Sequence, residues 1–192
     1  MDNIIHKTIN IHIQPDDIIF TEEQLDQFFI QFIQGKDFTL CGTLQNSWLK
    51  FIAESKNKGP IIPSIILPKR IAKYLPNNLK KPGIYSIFAK HPGYPTPLCF
   101  YVGMSGINIK ERINTHFWKD TDTQKHYPPK GYKGLFYWLL GCTEIFICYS
   151  TISRTENNKL LKRKLEFIEY CLDVNLRALF RIGRFLGDIP EL

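Results

Sequence analysis

Hydrophobic residues recur with a helical period in the first part of the chain. Thr21 and Gln24 fit a capping box that opens one helix, and Gly35 suits its end. A second amphipathic helix is expected from Leu44 to Ser55. Residues 1–78 are therefore predicted to form a mostly helical N-terminal arm, whose role the pattern does not indicate. The buried positions expected in the first helix are Leu25, Phe28, Phe29 and Phe32.

The middle of the chain changes to short runs of β-forming residues. Residues 82–88 and 98–102 are two such runs, and the loop between them, residues 91–97, is rich in proline and glycine. This arrangement predicts an antiparallel hairpin. Residues 144–149 predict a third strand. Residues 79–192 are thus expected to form an α/β (α+β) domain, with a small mixed or antiparallel sheet of about three strands flanked by helices.

Two further helices are predicted after the hairpin. The first runs from Asn108 to Trp118, with a buried stripe at every fourth residue. The second runs from Arg154 to about Leu176, and Ser153 with Glu156 fits a capping box before it. The apolar positions of the first helix are Ile109, Ile113 and Phe117, and those of the second are Leu161, Leu165, Ile168 and Leu172.

Polar residues that could bind or hydrolyse a phosphodiester lie where these strands and helices are expected to meet. Side chains alternate along a strand, so Tyr101 is expected to share a face with Cys99, and a suitable register would place Tyr85 on that face too. Arg112 and His116 lie one helical turn apart at the border of the apolar stripe. Arginine offers a charged planar fork of donors to phosphate, histidine can move a proton, and a phenol becomes a base when its pKa is lowered.

Two glutamates on the last predicted helix compete for a place beside these groups. Glu169 lies closer to the apolar stripe than Glu166, which is expected to face solvent with Lys162 and Arg163. A carboxylate at the edge of a buried face needs a partner, either a metal ion or a neighbouring cation. Both possibilities stay open for Glu169 from the pattern alone.

The tripeptides Gly83-Ile84-Tyr85 and Tyr101-Val102-Gly103, followed by Arg112 and His116, resemble the GIY-YIG nuclease family over about half the chain. The resemblance implies a divalent-metal-dependent endonuclease that hydrolyses DNA. It implies one Mg²⁺ or Mn²⁺ held by Glu169, with Glu166 as the alternative ligand. The residues that it makes catalytic are Tyr85, Tyr101, Arg112, His116 and Glu169, and the glycines that it makes structural are Gly83 and Gly103.

Three departures separate the chain from the family's usual pattern. The two tyrosines are 16 positions apart, so the hairpin loop carries an insertion, and the arginine comes one residue late. Arg181 stands where the family often has an asparagine. The compact length is similar to that of a restriction-type enzyme. The alternatives are a catalytically degenerate nucleic-acid-binding module on the same fold and a nuclease-fold toxin or effector.

Charge is divided unevenly along the chain and favours a polyanionic partner. Residues 1–60 hold five Lys and Arg against eight Asp and Glu, whereas residues 61–192 hold 20 against 10. The basic excess coincides with the nuclease-like residues and suits DNA, with RNA as the other possible substrate. The basic residues expected to contact nucleic acid are Lys110, Lys119, Arg177 and Arg181.

Five cysteines without a CxxC spacing favour reduced thiols in the cytoplasm over a disulfide or zinc framework. The chain shows no pattern of a signal peptide, and its apolar runs are too short to span a membrane. We therefore expect a cytoplasmic protein without a membrane partner.

Overall fold

The computed structural model describes residues 8–15, 17–35, 39–55, 61–63, 74–117, 142–153 and 158–179, which form a mixed α/β fold. The strands are β1 (Thr8–Ile13), β2 (Ile18–Phe20), β3 (Ile61–Pro63), β4 (Gly83–Lys90), β5 (Leu98–Ser105) and β6 (Glu144–Ile152). The helices are α1 (Glu22–Ile33), α2 (Thr39–Glu54), α3 (Ile109–Phe117) and α4 (Asn158–Leu176). A 3₁₀ turn, Asn77–Leu79, precedes β4.

The strands form one sheet in the order β3-β1-β6-β4-β5. β4 lies antiparallel to both β5 and β6, while β1 and β2 run parallel to successive parts of β6. Polar side chains bridge the interval between β1 and β2: the Asp17 carboxylate accepts the Thr151 N–H at 2.9 Å, and the Tyr149 N–H donates to Gln14 Oε1 at 3.3 Å. These bonds replace ladder bonds that the interrupted strand cannot supply.

The α/β fold class is confirmed, but the expected number of strands is wrong. Six strands of the described residues form the sheet, because β1, β2 and β3 come from the region before residue 79 and join the predicted β4, β5 and β6. β2 and β3 have only three residues each, too few for a clear alternating pattern. Their stability depends on partners far away in sequence. Residues before 79 therefore contribute both helices and strands to the structure around the sheet.

Two layers of helix cover opposite faces of the sheet. α3 and the 3₁₀ turn pack on one face, where Tyr85, Ile87, Tyr101, Ile147 and Tyr149 are buried. α1, α2 and α4 cover the other face, which is built mainly from leucine, isoleucine and phenylalanine. No helix among the described residues is long and apolar enough to cross a membrane.

The described helix boundaries lie within two residues of the predicted ones, except at the start of α2. The capping box of α1 is formed on both sides, with Gln24 N–H to Thr21 Oγ1 at 3.2 Å and Thr21 N–H to Gln24 Oε1 at 2.9 Å. α2 begins five residues before the predicted Leu44. Residues 154–157, on which the predicted start of the last helix falls, lie outside the described residues.

A β-bulge in the hairpin changes which side chains share a face. Ile87 pairs with Tyr101, but the next residue, Phe88, pairs with Cys99, so Phe100 is the extra residue of β5. One extra residue reverses the alternation beyond it. Tyr101 and Phe100 therefore lie on the α3 face, while Cys99 lies on the α4 face. The prediction that Tyr101 and Cys99 share a face is wrong for this reason.

Candidate active site

The two motif tyrosines meet on one face of the β4–β5 hairpin. Tyr85 of β4 pairs with Gly103 of β5, and Tyr101 pairs with Ile87, two residues further along β4. Both rings are buried, and their centroids are 5.9 Å apart with the planes tilted by 59°. The phenols thus form one pair beneath α3 and do not occupy separate core positions.

Glycine is required at position 103 because the two rings occupy the space a side chain would need. A Cβ on Gly103 would lie 2.5 Å from Cζ and Oη of Tyr85 and 2.6 Å from Cε1 of Tyr101. Gly83 is equally confined, since its Cβ would meet the Ser150 carbonyl oxygen and lie 2.6 Å from Ile109 Cδ1. Gly103 therefore permits close packing of the two tyrosines, and Gly83 permits close packing of β4 against β6 and Ile109 of α3.

Arg112 reaches this pair from the first turns of α3. The fully buried Ile109 and Ile113 fix the helix against the sheet, and the Asn108 side chain accepts the Glu111 N–H at 3.1 Å to cap its first turn. Arg112 lies on the exposed side of α3, and the charge of its guanidinium opposes the rise in the pKa of both Tyr85 and Tyr101. It therefore connects the buried phenols to the solvent-facing rim.

Glu169 completes the cluster from α4. Its neighbours Leu165, Ile168 and Leu172 are fully buried, whereas Glu169 is half-buried and interacts electrostatically with both tyrosines and Arg112. Glu166 instead pairs with Lys162 at 3.6 Å and is 38% exposed. Both glutamates are half-buried, so the structure separates them by their partners and not by their exposure.

The electrostatic environment keeps both phenols protonated at neutral pH. Burial raises the pKa of Tyr85, and the neighbouring Tyr101 and Glu169 raise it further against the opposing effect of Arg112. Burial, followed by the charge of Glu169, raises the pKa of Tyr101 to about 12, although the charge of Arg112 opposes the rise. Arg112 therefore favours the ionised form of both phenols, against burial and Glu169.

The other predicted site residues are distributed differently. Lys110 donates to the Leu75 carbonyl at 2.7 Å and to Asn77 Oδ1 at 3.3 Å, so it ties α3 to the 3₁₀ turn. Arg177 is exposed and ends α4 with a left-handed φ of 50°. The predicted residues outside the described part of the structure are Lys119, Arg181 and the side chain of His116, whose backbone lies in α3 one turn after Arg112.

Tyr149 is a neighbour of the site that the sequence did not single out. It pairs with Tyr85 across β4 and β6, is fully buried on the same face, and its hydroxyl accepts a hydrogen bond from Asn78 Nδ2 at 3.3 Å. Its position follows from strand register. The apolar run of β6 does not distinguish this tyrosine from its buried neighbours before the pairing with β4 is known.

The donor set fits a hard divalent cation held by a single carboxylate. Across the described ranges, no group of three or more His, Cys, Asp or Glu side chains could enclose a metal ion. Mg²⁺ does not need such a cage, because it binds through one or two carboxylates and keeps water or substrate phosphate as its other ligands. Glu169, whose charge acts on both phenols, is the carboxylate that would hold such a cation.

No protein-family model, no curated protein and no solved structure matches the chain. The chemistry of the site therefore has to be inferred from the residues that the fold brings together.

Proposed function

We propose that the chain is a divalent-metal-dependent endonuclease of the GIY-YIG type that hydrolyses DNA phosphodiester bonds, as a compact restriction-type enzyme in the cytoplasm. One observation supports this above all. Two buried phenols, a guanidinium and a carboxylate come from four different elements and converge at one rim. Groups of this kind are needed to position and charge-stabilise a phosphodiester.

Each group has a distinct part in the proposed reaction. Arg112 binds non-bridging oxygens of the scissile phosphate and offsets the charge that develops on them in the transition state. Tyr101 in its ionised form takes the proton from the attacking water, and the charge of Arg112 favours that ionised form. A divalent cation at Glu169 would polarise the phosphate and neutralise charge on the leaving oxygen.

The proposal is tested by incubating the purified protein with plasmid DNA and Mg²⁺ or Mn²⁺, with and without a chelator. Nicked or linear product that disappears with chelator is the expected result. Single-stranded DNA and RNA substrates in parallel define the substrate class. Failure to cleave any of these nucleic acids with either metal contradicts the proposed activity.

A second candidate is favoured by the raised pKa of both phenols. Two protonated hydroxyls and Arg112 are hydrogen-bond donors, which suits binding of a phosphodiester without its hydrolysis. This nucleic-acid-binding module would retain DNA in a binding assay and leave it intact with every metal. If the wild type cleaves DNA and Tyr101→Phe binds DNA without cleaving it, the protein is a nuclease and not a binding module.

A further inference from the structure

The first half of α4 carries an exposed basic face that the predicted site does not include. Lys159, Lys162 and Arg163 are spaced three and four residues apart, so they lie on one side of the helix, and all are exposed. Neither Lys159 nor Arg163 forms an ion pair with another residue of the described ranges. Lys164 differs, because it is 12% exposed and pairs with Asp26 of α1.

This basic face lies next to the active-site rim. A Cβ placed on Gly106 would be 3.6 Å from Cβ and 3.8 Å from Cγ of Lys162, so α4 packs directly on the loop that follows β5. The same loop begins three residues after Gly103, against which both tyrosines pack, and leads into the helix that carries Arg112. The loop thus connects the basic face to the phosphate-binding residues.

The spacing along α4 matches a nucleic-acid backbone. Lys162 precedes Glu169 by seven residues, which is two helical turns or about 10 Å. Each strand of duplex DNA carries one phosphate per roughly 3.4 Å of helix axis. A strand with its scissile phosphate at Glu169 would therefore bring a phosphate about three nucleotides away to the level of Lys162.

Helix stability does not explain the order of charges in α4. Cations stabilise a helix near its C-terminus and carboxylates near its N-terminus. In the described helix, Lys159 and Lys162 occupy the first turns, whereas Asp173 lies in the last. The Lys162–Glu166 pair at 3.6 Å is a surface ion pair, with Lys162 60% exposed. Such pairs contribute little, and a phosphate can displace the carboxylate.

We propose that Lys159, Lys162 and Arg163 bind the phosphodiester backbone of the nucleic-acid strand on one side of the scissile phosphate. This proposal rests on the proposed function and extends it. The contacts are independent of base sequence, because lysine and arginine recognise phosphate oxygens here and no base edge. They add affinity and orient the strand, and the chemical step remains with Arg112, Tyr101 and Glu169.

The test compares two matched lysine variants of the full chain. Lys162→Gln and Lys50→Gln each remove one positive charge from an exposed lysine, 60% and 74% exposed, that pairs with a glutamate four residues later. Binding of a fluorescent DNA duplex is followed by anisotropy in chelator, between about 50 and 200 mM salt, where each phosphate contact contributes about 0.9 to the slope of log K against log salt. Thermal unfolding checks that both variants remain folded.

The expected result is a slope smaller by about 0.9 for Lys162→Gln and by about twice that for Lys162→Gln with Arg163→Gln. Lys50→Gln should keep the wild-type slope. Equal slopes for Lys162→Gln and Lys50→Gln, or a wild type that binds no nucleic acid, overturn the proposal. If the protein cleaves DNA but Lys162→Gln leaves the salt slope unchanged, the role of the basic face is rejected and the proposed nuclease activity stands. If Lys162→Gln lowers the slope but the protein never cleaves, the nuclease activity is rejected and the role of the basic face stands.

Discussion

Charged and aromatic groups cluster at both ends of strand β4, but the two clusters are built in opposite ways. At its far end, Glu144 accepts from His12 Nε2 at 3.1 Å and pairs with Lys90 at 3.5 Å, while the His12 ring stacks on Phe146. At its near end, about 17 Å away along the strand, Glu169 lies beside two phenols and raises the pKa of both.

The different arrangement of charges indicates that the far cluster is structural and that the near cluster is a candidate active site. In the far cluster the Glu144 carboxylate lies between the opposite charge of Lys90 and the His12 ring. Burial lowers the pKa of His12 although Glu144 opposes the fall, so His12 donates to Glu144 as a neutral ring at neutral pH. The near cluster collects groups whose ionised forms repel one another, and Arg112 is the positive charge that opposes this repulsion. Strongly shifted pKa values caused by burial and a specific charged neighbour are typical of active sites. The predictions below test this contrast.

Arg112→Ala should have the largest effect at the near cluster. Losing one donor to the developing phosphate charge is expected to reduce the cleavage rate by about 10²–10³-fold. DNA affinity should change little, because the interaction is stronger in the transition state than in the bound substrate. Single-turnover rates and anisotropy separate the two quantities. Equal losses in rate and affinity would make Arg112 a residue that only positions phosphate.

Gly103→Ala should damage the tyrosine pair directly. The new methyl group would overlap both buried rings, and overpacking of this kind destabilises proteins by about 1–3 kcal/mol. Gly106→Ala is the matched control, since its Cβ would meet Lys162 at an ordinary 3.6 Å. Urea unfolding measures both variants. Equal stability of the two alanine variants would show that the rings have room to move.

The cleavage rate should rise with pH if Tyr101 must lose its proton. Its raised pKa of about 12 means that the phenol is protonated at neutral pH. The ionised fraction then grows about tenfold for each pH unit below that pKa. Single-turnover rates measured from neutral to alkaline pH check the slope, and Tyr101→Phe should abolish it. A rate independent of pH in the wild type would exclude Tyr101 as the base.

Glu144→Gln should affect stability at the far cluster and leave cleavage unchanged. Removing the charge that partners His12 and Lys90 is expected to lower the free energy of unfolding by about 1–3 kcal/mol. Urea unfolding and plasmid cleavage on the same preparation give both readouts. A loss of cleavage without a loss of stability would show that the far cluster has a functional role. The distinction between a structural far cluster and a functional near cluster would then be wrong.

The sequence predicted the near cluster better than the sheet around it. Spacing within one element determines the direction of a side chain, so the apolar stripe of α4 could indicate that Glu169, and not Glu166, acts on the phenols. The pairing of β1 with β6 joins residues more than a hundred positions apart, and no local pattern encodes it.

The hairpin bulge and the basic face were missed for related reasons. The extra residue Phe100 is as apolar as its neighbours, so alternation alone assigned Cys99 to the wrong face. The proximity of Lys162 to Gly106 depends on how α4 packs against β5. The charge of Lys110 favours a contact with nucleic acid in the sequence analysis. In the structure its ammonium group donates a hydrogen bond to the Leu75 carbonyl.

The two glutamates of α4 give the most direct test of the proposed nuclease. Glu169→Gln and Glu166→Gln make the same chemical change three residues apart, at two positions with different partners: Glu169 acts on both phenols, whereas Glu166 pairs with Lys162. Plasmid cleavage in Mg²⁺ should be abolished by Glu169→Gln and nearly unchanged in Glu166→Gln, with both proteins folded by circular dichroism. Loss of cleavage in Glu166→Gln with retention in Glu169→Gln would contradict the assignment of the metal-binding carboxylate and the site built around it.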